Sequence, residues 1–415
     1  RSGSSSFIIF LFLLMAAYLA MPLVEVPFMG LSLSAPLFAL VALQALLRPP
    51  EPWLRKFQGW ILLAGWIWLG LFISTVGNGL LSGGVDIDSD GVLYLVRYAY
   101  WLLTFVVTAY FASREDLLER VSGVLGWAIF GLALARLFEA VVWGKIGFWT
   151  NTRFMSQNGY GFLFSMFFPF LLAPILSARG WQKTFAILRL LVGAAAVIVN
   201  GSRGAWLGVL VGIIAFASLN LLARPKKFGW SLLILALAGL AFLAVQYAPD
   251  RVRATFDQRF ATFERLEEDK SYQIRQLMIQ KGLRLFEESP LIGVGVSRFR
   301  KESIPLDLPR MLTYAGQEHF DAKSAHNSYI SFLAESGLAG SLPFALLLLT
   351  LGLRGFKSSL ALARRQQPWA LSVFSAFIGM SVHMWSISSL TNTANWFLYG
   401  LVAAVIVRAG RREAP

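Results

Sequence analysis

The chain has no cysteine and little charge: its 415 residues include three His and only 14% Asp, Glu, Lys and Arg. The absence of cysteine excludes disulfides, thiolate zinc sites and a cysteine nucleophile. A soluble domain carries about 25% charged residues, so the polar surface expected of a water-soluble protein is missing. The hydrophobic residues, 56% of the chain, instead form long apolar runs. These runs predict a polytopic membrane protein.

Twelve apolar stretches follow residues 1–6, which read as a tag remnant or a frayed terminus. Because alternating strand patterns are not visible, only helices can carry the backbone across lipid. The stretches cover roughly residues 7–22, 31–47, 60–81, 92–112, 121–142, 159–177, 184–201, 204–222, 230–248, 327–353, 369–389 and 393–408. We therefore predict an all-α fold of about twelve transmembrane helices. It comprises a nine-helix bundle over 7–248, a loop region over 249–325, three final helices over 326–408 and a tail over 409–415.

The basic residues predict the orientation in the membrane. If the N-terminus is cytoplasmic, 19 of the 37 Lys and Arg lie in short inner loops or tails, where the positive-inside rule applies. Both termini are therefore expected in the cytoplasm. The formal net charge of +14 then reflects topology and contact with anionic membrane lipids, so we expect no nucleic-acid partner.

Residues 249–325 form a 77-residue extracytoplasmic loop with 13 Lys+Arg and 12 Asp+Glu. Helix-forming residues from Arg251 to Phe286, with aromatic residues at helical spacing, predict one amphipathic helix that Pro290 ends. A membrane enzyme acting on a large polar substrate needs such an element over its site. A solvated surface loop has the same composition, so both interpretations stay open.

The segment from His326 to Gly340 contains the sharpest chemical signal. His326 lies where the loop enters the tenth helix, and a neutral histidine there can act as a general base or simply cap and pack. Asn327 can orient a substrate or cap the helix. Glu335 lies about two turns deeper, and we interpret it as a buried, hydrogen-bonded anchor.

The turn Ser202-Arg203-Gly204 is a second signal, because an arginine at membrane depth is costly unless it meets an anion. Its guanidinium suits a lipid diphosphate, although a snorkelling arginine is the alternative. Loop arginines, among them Arg265 and Arg275, can complete a clamp, but each is more often a surface ion-pair member. With three histidines and no cysteine, no metal-ligand spacing is present, and His383 is interpreted as a packed polar residue.

Three motifs in this order resemble the O-antigen ligase family. They are Ser202-Arg203-Gly204, then Pro290 to Gly295 (PLIGVG), then His326-Asn327 with Leu333, Glu335, Gly337 and Gly340. The resemblance implies a GT-C-like glycosyltransferase of the Gram-negative bacterial inner membrane, with a periplasmic active site and no cofactor. Its donor would be an undecaprenyl diphosphate-linked glycan and its acceptor the lipid A–core of lipopolysaccharide.

The resemblance also implies roles for individual residues. His326 matches the family's histidine and becomes the expected base, while Arg203 matches its arginine. The loop arginine on the diphosphate is Arg265 or Arg275, with Arg265 ranked slightly ahead. Supporting roles fall to Ser202, Asn327, Glu335, Gly293 and Gly295.

The expected reaction inverts the anomeric carbon and needs no metal, because arginines stabilise the departing diphosphate. The same superfamily holds O-antigen polymerases and bacterial protein O-oligosaccharyltransferases. The polymerases are associated with an R-x10-G pattern, which occurs here from Arg284 to Gly295. A transporter or flippase for lipid-linked sugars is the alternative from another class.

Overall fold

The computed structural model describes residues 2–22, 34–47, 53–81, 89–114, 117–145, 154–248, 250–264, 266–308, 312–313 and 316–410. Every regular element in these ranges is a helix, which agrees with the predicted all-α class. The first ten α-helices are α1 (Ser2–Ala20), α2 (Ser34–Leu47), α3 (Trp53–Leu81), α4 (Ser89–Ala112), α5 (Leu117–Trp143), α6 (Gln157–Phe167), α7 (Ala173–Ser177), α8 (Trp181–Asn200), α9 (Arg203–Ala223) and α10 (Phe228–Leu243). The remaining six are α11 (Asp250–Glu264), α12 (Lys270–Glu288), α13 (Gln317–Asp321), α14 (Ser328–Arg364), α15 (Trp369–His383) and α16 (Thr393–Ala409).

Eight helices within the described ranges are long and apolar enough to cross a membrane. Three more of the predicted stretches lie on shorter apolar helices, which span Ser6–Ala20, Trp369–His383 and Thr393–Ala409. The stretch at 31–47 falls on α2, which has 14 residues. The chain is therefore a multi-pass helical membrane protein, while the number twelve stays a prediction. Residues 2–6 belong to α1, so this part of the terminus continues a helix.

α15 and α16 are largely buried helices. From Thr393 to Val405 every residue of α16 is buried, and α15 is buried over most of its length. α15 packs against α6 and α9, and α16 packs against α4 and α14. A helix that is apolar on every face suits such a central position, because no face meets water. This core fixes the end of α15 against the start of α9, where the candidate site lies.

The loop region has a hydrophobic core of its own. That core contains Leu277, Met278, Leu285, Phe299, Ile304, Leu306, Leu312, Phe320, Ala325 and Ala334. Lys281 is buried beside it, and its ammonium group donates a 2.8 Å hydrogen bond to the carbonyl of Asp321. The interpretation as a merely solvated loop is therefore wrong.

The predicted single amphipathic helix of this region is two helices, α11 and α12. The break comes where Asp269 accepts a 2.7 Å hydrogen bond from the backbone N–H of Tyr272 and so caps α12. α12 ends at Glu288, before Pro290 as predicted. On α11, Phe256 packs on Trp206 of α9 with 5.0 Å between ring centroids, which seats this helix on the bundle.

The glycine-rich segment 290–295 docks against a break in α14. At Gly337 the helix has φ 55° and ψ −157°, so backbone groups on both sides of it lose their helical partners. Segment 290–295 replaces those partners: Val294 and Gly295 donate to the carbonyls of Ala334 and Glu335, each at 3.0 Å. In return, Leu338 and Ala339 donate to Pro290 and Leu291, each at 2.9 Å. The two motifs are thus joined by backbone hydrogen bonds. Such close approach of two backbones leaves no room for a side chain, which explains why both motifs contain glycine.

Candidate functional site

A small cavity lies where α9 begins and α15 ends, and α12 lines one side of it. Its lining is almost entirely polar or glycine. The lining residues are Asn158, Gly201, Ser202, Arg203, Gly204, Ser271, Arg275, His383, Ser386 and Ile387. The predicted turn Ser202-Arg203-Gly204 therefore meets a loop arginine and a histidine in one place.

The local sequence opens the start of α9 towards this cavity. Gly201 ends α8 in the left-handed conformation, with φ 69°, and the chain turns directly into α9 at Arg203. Ser202 stands at the N-cap position, but its side chain makes no cap hydrogen bond. The first turn of a helix presents backbone N–H groups and a partial positive charge, both of which favour an anion.

Arg203 is held by the loop region. Its Nη2 donates a 2.9 Å hydrogen bond to Oδ1 of Asp269, and both side chains are largely buried. Burial raises the pKa of Asp269, but the hydrogen bonds from Arg203 and Tyr272 outweigh it, so the net shift is downward. Asp269 therefore stays ionised, and one carboxylate joins α9 to α12.

Arg275 brings a second guanidinium to the cavity. Its Nε is buried without a partner among the described residues. Burial lowers the pKa of Arg275, and the positive charge of Arg203 lowers it further, while Asp269 acts in the opposite direction. Two guanidinium groups therefore line one polar cavity. Such an arrangement suits an anion with several oxygens.

His326 does not line this cavity, yet it is electrostatically linked to it. Burial lowers the pKa of His326, and the charges of Arg275 and Lys323 lower it further. The imidazole is therefore neutral near pH 7 and can accept a proton. Its backbone has φ 48°, a left-handed conformation that costs a residue with a side chain roughly 1–2 kcal/mol.

Asn327 follows as the N-cap of α14. Its Oδ1 accepts hydrogen bonds from the backbone N–H groups of Tyr329 at 3.0 Å and Ile330 at 3.1 Å. Its Nδ2 is buried and has no partner within the described part of the chain. The oxygen therefore serves the helix cap, and the amide N–H groups are left for another contact.

Glu335, Gly293 and Gly295 hold the scaffold under the site. Oε1 of Glu335 accepts a 3.3 Å hydrogen bond from the N–H of Phe299, and its carbonyl accepts one of 2.6 Å from Ser74. Asn78 donates a 2.8 Å bond to the carbonyl of Gly293. These contacts match the anchor role expected of Glu335 and leave it outside the cavity.

Two results add to what the motifs suggested. Arg275 is a loop arginine that lines the cavity with Arg203. Arg265, which ranked slightly ahead of it, lies outside the described residues, so that ranking stays a prediction. His383 is buried as expected of a packed residue, but it also lines the cavity. One signal could have singled it out: it is an ionisable residue inside an apolar stretch, and such residues often mark functional sites.

Comparison with known proteins points to one family. Residues 188–345 match the O-antigen ligase family, and the matched range contains all three motifs and both cavity arginines. No curated protein matches the chain. The resemblance carried by the motifs is thus confirmed over residues 188–345, which are similar to the O-antigen ligase family.

Proposed function

We propose that this protein is an O-antigen ligase that transfers a glycan from undecaprenyl diphosphate to the outer core sugar of lipid A–core. The observation that carries the proposal is the shared cavity of Arg203 and Arg275 at the start of α9. A diphosphate offers the several oxygens and the negative charge that two guanidinium groups and a helix N-terminus bind. The similarity of residues 188–345 to the O-antigen ligase family supports a lipid-linked donor.

In the proposed reaction His326 accepts the proton of the acceptor hydroxyl, whose oxygen attacks the anomeric carbon of the donor's first sugar. The bond from that carbon to the phosphate oxygen breaks, and undecaprenyl diphosphate leaves with the electron pair. Because the leaving group departs from the opposite face, the anomeric configuration inverts. Arg203 and Arg275 stabilise the extra negative charge on the terminal phosphate, which is the role a metal ion has in other transferases.

The proposed location is the inner membrane, with the cavity on the periplasmic side and both termini in the cytoplasm. The support is the distribution of basic residues, which cluster at the opposite loops. Since the chain has no cysteine, single cysteines can report sidedness. Exposed Glu287 on α12 and exposed Arg365 after α14 suit this test. A membrane-impermeant maleimide should label Glu287→Cys but not Arg365→Cys in intact cells with a permeabilised outer membrane.

The superfamily alternatives differ in the acceptor. The R-x10-G pattern associated with polymerases runs here from Arg284 to Gly295. Arg284 forms an ion pair with Asp307 at 2.8 Å, and the N–H of Gly295 donates to the carbonyl of Glu335, so both residues have structural contacts. The single large loop region favours the ligase over the polymerase. A protein O-oligosaccharyltransferase would use the same base and the same diphosphate site.

A reconstituted transfer reaction tests the proposal. The purified full-length protein receives a lipid-linked glycan donor and, in separate reactions, lipid A–core, a second lipid-linked glycan or a serine-containing peptide. We expect product on lipid A–core, equal rates with and without chelator, and loss of product with His326→Ala. His319→Ala is the matched control, because His319 is exposed on α13. Product on another acceptor favours that alternative, and a donor that only changes leaflet favours the transporter.

A further inference from the structure

His383 lies at the end of α15 with its ring against the first turn of α9. It is 4% exposed, and it lines the cavity with Arg203 and Arg275. A Cβ added to Gly204 would lie 2.9 Å from His383 Cδ2 and 3.0 Å from Nε2. The Nε2 edge of the imidazole therefore faces the turn that carries Arg203, and only a glycine at position 204 leaves room for it.

The opposite ring nitrogen is held by Ser165 of α6. Nδ1 of His383 and Oγ of Ser165 are hydrogen-bonded. The same Oγ lies 2.6 Å from the carbonyl of Gly161 and 3.1 Å from that of Phe162. Since carbonyl oxygens only accept, the single hydroxyl hydrogen is directed to them, and Oγ accepts the hydrogen on Nδ1. A neutral His383 therefore presents an unprotonated Nε2 to the cavity.

The cavity that the ring lines carries two arginines. Arg203 and Arg275 face it from α9 and α12, and Asp269 is bonded to Arg203. From α6 come Ser165 and the uncharged Asn158. The tyrosines of α14 and α16 are engaged elsewhere: Tyr329 donates to the carbonyl of Ser381, and Tyr399 to the sulfur of Met384. Two nearby cations oppose a third positive charge, whereas a bound diphosphate would favour it.

We propose that His383 is a third ligand of the donor's diphosphate and binds it as an imidazolium. Nε2 takes up one proton from solvent as the diphosphate enters and donates it in a hydrogen bond to a phosphate oxygen. The inference rests on the proposed function, since it assumes a diphosphate in this cavity. When the bond between the sugar and the phosphate oxygen breaks, negative charge develops on the terminal phosphate. The imidazolium therefore stabilises the departing diphosphate more strongly than the bound donor.

Binding of farnesyl diphosphate, a short-chain diphosphate lipid, to the purified full-length protein provides the test. Calorimetry in two buffers of different ionisation enthalpy, from pH 6 to pH 8.5, gives the number of protons taken up on binding. We expect wild type to take up about one proton more than His383→Gln on binding. As the pH rises, the affinity of wild type should fall by up to about tenfold more per pH unit than that of His383→Gln. His319→Gln, on the exposed third histidine, should match wild type.

Other variants separate the explanations. His326→Gln should keep the wild-type proton uptake, which assigns the proton to His383. Ser165→Ala removes the acceptor of the Nδ1 hydrogen bond, so the neutral ring can carry its hydrogen on Nε2 instead. This variant should therefore bind the diphosphate with a smaller proton uptake than wild type. It provides the test if His383→Gln does not fold. Equal uptake in wild type and His383→Gln, or an equal loss of affinity at every pH, overturns the inference. A wild-type protein that binds no farnesyl diphosphate overturns the proposed function itself.

Discussion

Arg203 Nη2 and Asp269 Oδ1, separated by 2.9 Å, join the transmembrane helix α9 to the loop helix α12. The same carboxylate caps α12 through the N–H of Tyr272. One side chain therefore positions the cavity arginine and sets the start of the helix that carries Arg275. This coupling explains how residues 72 positions apart along the chain face the same cavity.

Replacement of Asp269 should separate its two roles. Asn is a good N-cap, so Asp269→Asn keeps the cap but loses the charged partner of Arg203, whereas Asp269→Ala loses both. We expect Asp269→Ala to be less stable than Asp269→Asn by about 1 kcal/mol, the usual worth of a cap. Thermal unfolding in detergent measures the difference, and equal stability of the two variants would contradict the capping role.

The same carboxylate should contribute to acid sensitivity. Because the pKa of Asp269 is lowered in the folded protein, its stabilising effect is complete above its ordinary value of 3.8 and is lost as the pH falls through the lower folded value. Asp269→Asn lacks this contribution. We expect its unfolding temperature to change less than that of wild type between pH 4 and pH 2.5; parallel curves would argue against the ion pair.

Gly337→Ala should damage the fold more than an ordinary glycine replacement. Gly337 has φ 55°, and a Cβ there would come within 2.7 Å of Ile292 N and Leu291 C. Gly180→Ala is a matched control, because Gly180 has φ 53° and open space around its Cβ position. Both glycines combine a positive φ with a strongly negative ψ, a backbone region that is nearly restricted to glycine, so each alanine costs about 1–3 kcal/mol. Only Gly337→Ala also pushes segment 290–295 away from α14. The unfolding temperature of Gly337→Ala should therefore be lower than that of Gly180→Ala.

Much of the fold could be predicted from apolar runs, because burial in lipid leaves the backbone few choices. The helical class, the end of α12 before Pro290 and the anchoring of Glu335 all follow from local chemistry. The break between α11 and α12 did not, since a capping aspartate within a polar helical pattern resembles any other acidic residue. The core of the loop region also escaped prediction, because it depends on contacts between segments far apart along the chain.

The site could be predicted only in part, for a related reason. Arg203 and His326 stand in recognisable motifs, and local sequence is enough to select them. The position of Arg275 at the cavity depends on where α12 begins, and the Asp269 cap sets that point. The sequence alone does not show this cap, so it offers no means of choosing between Arg265 and Arg275. His383 lies 180 positions after Arg203, and periodicity does not reveal which two helices are neighbours.

Arg275 should matter more to transfer than its surface neighbour Arg284. Loss of a preorganised donor to a developing charge costs on the order of 10²–10³ in rate, so Arg275→Gln should reduce kcat by about that factor. Arg275→Lys keeps the positive charge but lacks the several N–H donors of the guanidinium. Its kcat should therefore lie between those of wild type and Arg275→Gln. Arg284→Gln removes an exposed pair with Asp307 and should stay within about fivefold of wild type. Initial rates at saturating donor test this order; equal losses at both positions would contradict the diphosphate role.

Lys323 should tune the protonation of His326 without touching the substrate. Burial is the main reason that the pKa of His326 lies below its ordinary value of 6.5, and the charges of Arg275 and Lys323 add to the shift. Lys323→Gln removes one of those charges, so the pKa should rise towards 6.5. The three histidines of the chain make this measurable by NMR with selectively 13C-labelled histidine, with each signal assigned by a single substitution. If His326 is the base, the acid limb of the transfer rate should move to higher pH in Lys323→Gln by the same amount as the NMR titration. A titration that moves while the rate profile stays fixed would assign the proton acceptance to another group.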